Sequence, residues 1–164
     1  MGNIRFEDMQ EKLIPEVLKI YNYYILNTSA TFHMKELSLE EMKDILFFEN
    51  SRFRSFAIMD GNCVCGYCIL APFKKREAYD TTAEVTVYLK PEYTGKGIGN
   101  TAIAHLERVA AKNGFHMLLA VVCAENSSSI KLFERMCYEK CAHYREIGKK
   151  FGRYLDVVSL QKII

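Results

Sequence analysis

No apolar run in this 164-residue chain approaches the length of a bilayer-crossing helix. Residues Met1 to Asp8 hold no signal-peptide core. Phe6 stands where a myristoylation pattern starting at Gly2 needs Ser or Thr. A cytoplasmic protein is therefore expected. Excess charge of either sign is scarce. The formal net charge is +2, and the basic run Lys74-Lys75-Arg76 is too short to serve as a nucleic-acid footprint. Repeats, low-complexity segments and linkers are missing as well, so one domain over residues 1–164 is expected. Metal-ligand spacing is also lacking. Cys63, Cys65 and Cys68 cluster, but Cys123, Cys137 and Cys141 are scattered, and no second cluster with His completes four ligands. These thiols are read as structural, with Cys63 and Cys65 on one strand face as small apolar groups in a reducing compartment. What remains is ordinary globular composition, 49% apolar and 26% charged, in a chain long enough to bury a core.

The patterning predicts alternating elements. Asn3 to Phe6 reads as a short strand. A helical pattern follows Asp8, restarts at Pro15 and fails near Asn27-Thr28-Ser29. His33, in the connection that follows, reads as a surface histidine. Ser38 with Glu41 forms a capping box that opens a helix toward Asn50, with Leu39, Met42, Ile45 and Leu46 on its buried stripe. Asp60-Gly61-Asn62, between the apolar runs 55–59 and 63–71, is a hairpin turn. A basic, aromatic loop from Phe73 to Tyr79 leads into a strand over about Thr81 to Leu89. The continuous apolar run Met117 to Val122 predicts a strand buried on both faces. Asn126 caps a helix through about Met136. Tyr138–Ile147 and Tyr154–Gln161 read as a closing antiparallel pair joined by Gly148 to Arg153. The sum is an α/β or α+β protein with a mixed sheet and helices on both faces.

The rest is organised around Thr94-Gly95-Lys96-Gly97-Ile98-Gly99-Asn100. This glycine-rich turn follows a strand and opens an apolar helical stripe at Ala102, Ile103, Leu106, Val109 and Ala110. Glycine admits close backbone approach, and free N–H groups at a helix start favour a phosphate. A P-loop fails on spelling, because Gly97 and not Ser or Thr follows Lys96. Gly97 to Ala102 does satisfy G-x-G-x-x-A, and Glu125 lies where a ribose-binding acid would stand. However, Lys90 to Thr94 intervenes between strand and turn, and too little chain remains for the larger parallel sheet of a dinucleotide fold.

The sequence resembles the GNAT acetyltransferases, and within them the phosphinothricin and methionine-sulfoximine N-acetyltransferase branch. Thr94 to Gly99 matches the family's first signature except at Thr94, where Gln or Arg is usual. Asn126 to Phe133 matches its second. Ile20 to Tyr24, Thr28 to Phe32, Ala83 to Leu89 and Gly148 to Asp156 extend the likeness along nearly the whole chain. The resemblance implies a GNAT fold, with a mixed, mostly antiparallel sheet of about seven strands. It further implies acetyl-CoA as cosubstrate, a small amino-acid-like amine as acceptor, and a homodimer. The acceptor class is a methionine sulfone or sulfoximine, or a phosphinothricin-like compound.

Transfer of an acetyl group to an amine needs an anchored cofactor, a proton acceptor and an oxyanion donor. The resemblance places the cofactor on the backbone of Val87, Tyr88 and Leu89, on Thr94 to Asn100, and on Asn126 and Ser129. Asn126 can also be a plain helix cap; its side-chain oxygen caps while the amide N–H₂ stays free to donate. Glu84 is the candidate general base. Alternation puts it on one strand face with Thr86 and Tyr88, where burial should raise its pKa; the plainer reading is a solvated strand glutamate. The oxyanion donor is expected to be a main-chain N–H near Leu89. Phe133 occupies a position where related enzymes often carry Tyr or His, and it cannot protonate a thiolate. Cys137 replaces a usual Gly, so a local backbone adjustment is expected there. Arg76 is the candidate anchor for an acceptor carboxylate, with Lys75 and Tyr79 beside it and Phe32 and Phe133 as apolar walls. Arg76 reads equally well as a solvated loop cation. Thr94 and Phe133 also leave open a catalytically weak acetyl-CoA-binding sensor or interaction module of the same fold.

Overall fold

The computed structural model describes residues 3–164; Met1 and Gly2, on which part of the N-terminal reading falls, lie outside the described residues. Seven strands form one sheet: β1 (Ile4–Asp8), β2 (Arg54–Asp60), β3 (Cys63–Pro72), β4 (Thr82–Leu89), β5 (Met117–Cys123), β6 (Glu139–Lys150) and β7 (Arg153–Ile163). Their spatial order is β1-β2-β3-β4-β5-β7-β6. Every neighbouring pair is antiparallel except β4 and β5. The helices are α1 (Ile14–Asn27), α2 (Leu39–Leu46), α3 (Ile98–Lys112) and α4 (Ser127–Arg135). None of them is long and apolar enough to cross a membrane.

The two faces of the sheet carry separate cores. Val17, Ile20, Ile25, Met42 and Leu46 of α1 and α2 pack against Ala57, Met59, Tyr67 and Ile69. Ala102, Ile103, Leu106 and Ala110 of α3 pack on the other face against Ile58, Cys68, Leu70, Val85 and Leu118. This is the expected mixed sheet with helices on both sides.

Local chemistry explains most element ends. Pro15 sits in the first turn of α1, where its missing N–H costs nothing. The Ser38–Glu41 capping box is formed in both directions and starts α2. That helix ends at Leu46, short of Asn50, and Leu39 on its first turn is exposed rather than buried. Cys63 and Cys65 do not share an environment. The β2–β3 register shifts between Ile58 and Met59, and this bulge leaves Cys63 exposed and Cys65 buried, its thiol pushed up to about 11 by burial. β6 and β7 run longer than their apolar patterns, because the charged segment Gly148 to Arg153 pairs as strand except at a two-residue turn. Phe151 and Gly152 there both have positive φ. Cys137 adopts a φ of 64°, the backbone adjustment expected where glycine is usual.

Candidate active site

β4 and β5 pair over only three positions, Thr82↔Met117, Ala83↔Leu118 and Glu84↔Leu119. Beyond Glu84 no pairing joins them. β5 turns instead to β7, with which it pairs along its whole length. A wedge therefore opens between two adjacent strands of one sheet. The apolar run of β5 accordingly is not buried throughout: Val121 is 45% exposed, because it lines the wedge.

The hydrogen-bond alternation of β4 fixes what faces this opening. Lys90 N–H donates to Cys65 O at 2.8 Å, and Leu89 stands opposite Gly66. Hydrogen-bonded and non-bonded pairs alternate in an antiparallel ladder, so Tyr88 and Thr86 bond to β3. Val87 and Leu89 turn their N–H and C=O groups the other way, toward the gap. Tyr24 Oη donates to Leu89 O at 2.6 Å. Tyr24 also lines the cleft, although the sequence places it only within the Ile20–Tyr24 likeness and gives it no site role. Its signal is the phenol itself, since a buried hydroxyl needs a partner.

A cleft of about 290 Å³ fills the wedge. Val87, Tyr88 and Leu89 line one wall; Thr94, Gly95, Gly97, Gly99 and Asn100 close the end toward α3; Asn126, Ser129 and Phe133 come from the α4 side. Gly97 has a φ of 82° and caps α3, so it supplies the left-handed turn that directs the helix start at the cleft. Gly99 has a different reason to lack a side chain: an added Cβ would lie 3.1 Å from Leu132 of α4. Asn126 Oδ1 accepts from Ser129 N–H and from the Ser128 hydroxyl. Its amide N–H₂ has no partner among the described residues, so capping leaves the donors free. Such a cradle of backbone N–H groups fits a diphosphate, and the gap-facing edge of β4 fits an extended amide-bearing arm. The side chains of two turn residues lie outside the cleft lining. Ile98 is buried in the core, and the exposed Lys96 lies over the Tyr93 ring at 5.3 Å. The Thr94 hydroxyl donates to Pro91 O at 2.7 Å, which commits its only proton. Arg135, missed in the sequence, brings a cation to the cleft wall.

A second cavity, of about 430 Å³, opens on the α1 side of the sheet. Glu84, Thr86 and Tyr88 lie along it, as alternation predicts. Burial raises the Glu84 carboxyl above its usual range. Phe32 lines this cavity; Phe133 lines only the first cleft. Lys75, Arg76 and Tyr79 line neither. Lys75 and Arg76 are exposed on the loop before β4, where the Arg76 guanidinium lies 5.7 Å from the Tyr79 ring.

The roof of the second cavity is the segment Ala30 to Phe32, held from several sides. Tyr21 Oη hydrogen-bonds Thr31 Oγ1 at 2.7 Å and His33 Nδ1 at 2.6 Å, so His33 is exposed yet tied down. Tyr88 Oη donates to Ala30 O, and the buried Lys150 donates to Thr31 O at 2.7 Å. Burial lowers the Lys150 pKa. Glu125, weighed above as a ribose acid, instead pairs with Arg153 and accepts from Ser29 at the edge of this segment.

A domain model described as acetyltransferase (GNAT) domain matches residues 4–159. The chain belongs to the GNAT acetyltransferase family. Among GNAT relatives it is 33% identical over 153 residues to a phosphinothricin N-acetyltransferase of Streptomyces coelicolor, covering 91% of this chain and 89% of the relative. It is 26% identical to an L-methionine sulfoximine/L-methionine sulfone acetyltransferase of Salmonella typhimurium, over 96% of this chain and 92% of the relative. The GNAT phosphinothricin acetyltransferase from Sinorhizobium meliloti, solved in complex with AcCoA, superposes with a TM-score of 0.93 at 28% identity, covering 98% of this chain and 88% of that one.

Proposed function

We propose that this N-acetyltransferase moves an acetyl group from acetyl-CoA to the primary amine of a small amino-acid-like acceptor, with Glu84 as general base. One observation carries the reading. Two cavities meet where β4 and β5 part, one edged by unpaired backbone and a glycine turn, the other holding a carboxyl whose pKa burial has raised. The names of the relatives, a phosphinothricin and a methionine sulfoximine/sulfone acetyltransferase, suggest the acceptor class.

In this reading the diphosphate rests on the N–H groups of Gly95 to Asn100, with Asn126 and Ser129 at the α4 side. The pantetheine arm pairs with Val87 and Leu89 as an added strand. The thioester then lies toward Glu84, and the acceptor amine enters from the second cavity. Glu84 takes the proton from nitrogen as the C–N bond forms, and a gap-facing N–H of β4 stabilises the oxyanion. Arg76 serves as the carboxylate anchor, flanked by Lys75 and Tyr79, although it lies outside both cavities of the single chain. The acceptor site would therefore be completed by a second copy of the chain. Exposed Tyr144, Ile147, Phe151 and Tyr154 on the β6–β7 hairpin supply the apolar surface for a homodimer.

The decisive experiment mixes the protein with acetyl-CoA and phosphinothricin, methionine sulfoximine, methionine sulfone and unmodified amino acids, and follows free thiol. Faster release than the uncatalysed rate with at least one amine is expected. Binding of acetyl-CoA without thiol release on any amine overturns the enzyme reading in favour of a binding module.

A further inference from the structure

The two cavities share a short common wall made of Ala30, Thr86, Tyr88, Val121 and Val122. Glu84 reaches only the acceptor side of that wall. A departing thiolate, by contrast, gains its proton on the cofactor side, and an acid placed there would speed its departure. The position where related enzymes often carry a side-chain acid holds Phe133, which has no proton to give.

Only two side chains on the common wall can hydrogen-bond. Tyr88 has committed its proton to Ala30 O at 3.2 Å. The half-buried Thr86 hydroxyl has no hydrogen-bond partner among the described residues. Thr86 is also the next residue after Glu84 on the same strand face. Successive same-face residues stand about 6.8 Å apart, a span that a long carboxylate side chain or one water closes.

Resting on the acetyl-transfer reading above, we propose that Thr86 is a catalytic residue that relays the proton from Glu84 to the leaving sulfur. The neutral amine attacks the thioester carbonyl and the C–N bond forms. The Glu84 carboxylate takes the proton from nitrogen. The C–S bond breaks with its electron pair going to sulfur. The Thr86 hydroxyl gives its proton to that sulfur and takes one from the Glu84 carboxyl. The products are the amide and free CoA thiol, with Glu84 ionised and Thr86 neutral again. No other reactant is needed.

The test compares Thr86→Val, which keeps the β-branched shape without the hydroxyl, with Thr86→Ser. Acetyl-CoA is the donor, and methionine sulfone, methionine sulfoximine and phosphinothricin are the acceptors. Thr86→Val is expected to lower kcat by at least about tenfold while the KM for acetyl-CoA stays within about twofold; Thr86→Ser restores most of the rate. The second readout uses acetyl donors built on more acidic thiols, which leave without protonation. The Thr86→Val deficit should shrink as the leaving thiol becomes more acidic. A full kcat in Thr86→Val overturns the relay, as does a deficit equal for every leaving thiol, which marks a packing defect. If the unaltered protein releases no thiol with any acceptor, the acetyl-transfer reading and the relay fall together. If it turns over while Thr86→Val matches it, only the relay fails.

Discussion

As the proposed base, Glu84 is expected to couple activity and stability in opposite directions. Its carboxyl is held above the usual range by burial alone. A raised folded-state pKa means that the folded chain binds this proton more tightly than the unfolded chain. The stabilisation is fully present below the unfolded value, about 4.3, and is lost as pH rises through the folded value. Once ionised, the buried side chain thus weakens the fold. Glu84→Gln should cut turnover by on the order of a hundredfold or more with little change in acetyl-CoA affinity. It should also raise the melting temperature at pH 7, and the gain over the unaltered chain should vanish in acid. A variant that melts lower at pH 7 would contradict the account.

His105 has the opposite dependence. Its ring stacks on Phe6 at 4.3 Å and meets the Phe56 ring edge-on at 4.5 Å, and its buried Nε2 has no partner among the described residues. Burial lowers its pKa, with Arg108 and Arg54 adding to the effect and Asp8 opposing it. Above about pH 6.5 the imidazole is neutral in both states. As pH falls, the unfolded chain takes the proton first, so stability declines until the folded chain is protonated too. Thermal melts between pH 8 and pH 5 should show this decline, and His105→Leu should flatten it.

The clamped segment Ala30 to Phe32 depends on an element far away in sequence. A Cβ at Gly148 of β6 would run into the Phe32 ring edge. Gly148→Ala should push Phe32 into or out of the second cavity, the proposed acceptor site. It should raise the acceptor KM several-fold, leave the KM for acetyl-CoA near its original value, and cost about 1–3 kcal/mol of stability. Equal changes in both KM values would show that the strain spreads across the sheet.

Why Gly148 matters was not legible in the sequence, and other misses have the same cause. The capping box at Ser38, the hairpin at Asp60-Gly61 and the cap at Asn126 each depend on residues a few positions apart, so the sequence displays them. The β3 bulge, the exposed Val121 and the pairing of the charged segment after Gly148 depend on what the partner strand does. Leu39 obeys helical spacing but falls in a first turn that nothing covers. Periodicity reports which residues share a face and leaves open which faces find a cover.

For the molecule as a whole, the place of the glycine turn at the start of α3 and of Glu84 on the same β4 face as Thr86 and Tyr88 was legible, because each is a local pattern. The two cavities were not, since their boundary is the length over which β4 and β5 stay paired. The proposed dimer rests on the last hairpin. β6 is an edge strand of twelve residues whose side chains are mostly exposed, and a long bare edge next to apolar side chains favours a partner. Sedimentation at micromolar concentration should give a dimer. Ile147→Glu should shift it to monomer and raise the acceptor KM, if the second copy completes that site. A monomeric unaltered protein would remove the assembly from the account.

The three-position pairing of β4 with β5 leaves a strand-shaped vacancy inside the sheet rather than at its rim. A molecule that lies in it lengthens the hydrogen-bond ladder, so its binding energy adds to cohesion of the whole sheet. At a concentration one hundred times its dissociation constant, such a guest contributes about 2.7 kcal/mol. The supply of that guest in the cell would then govern how long the protein survives as well as how fast it works.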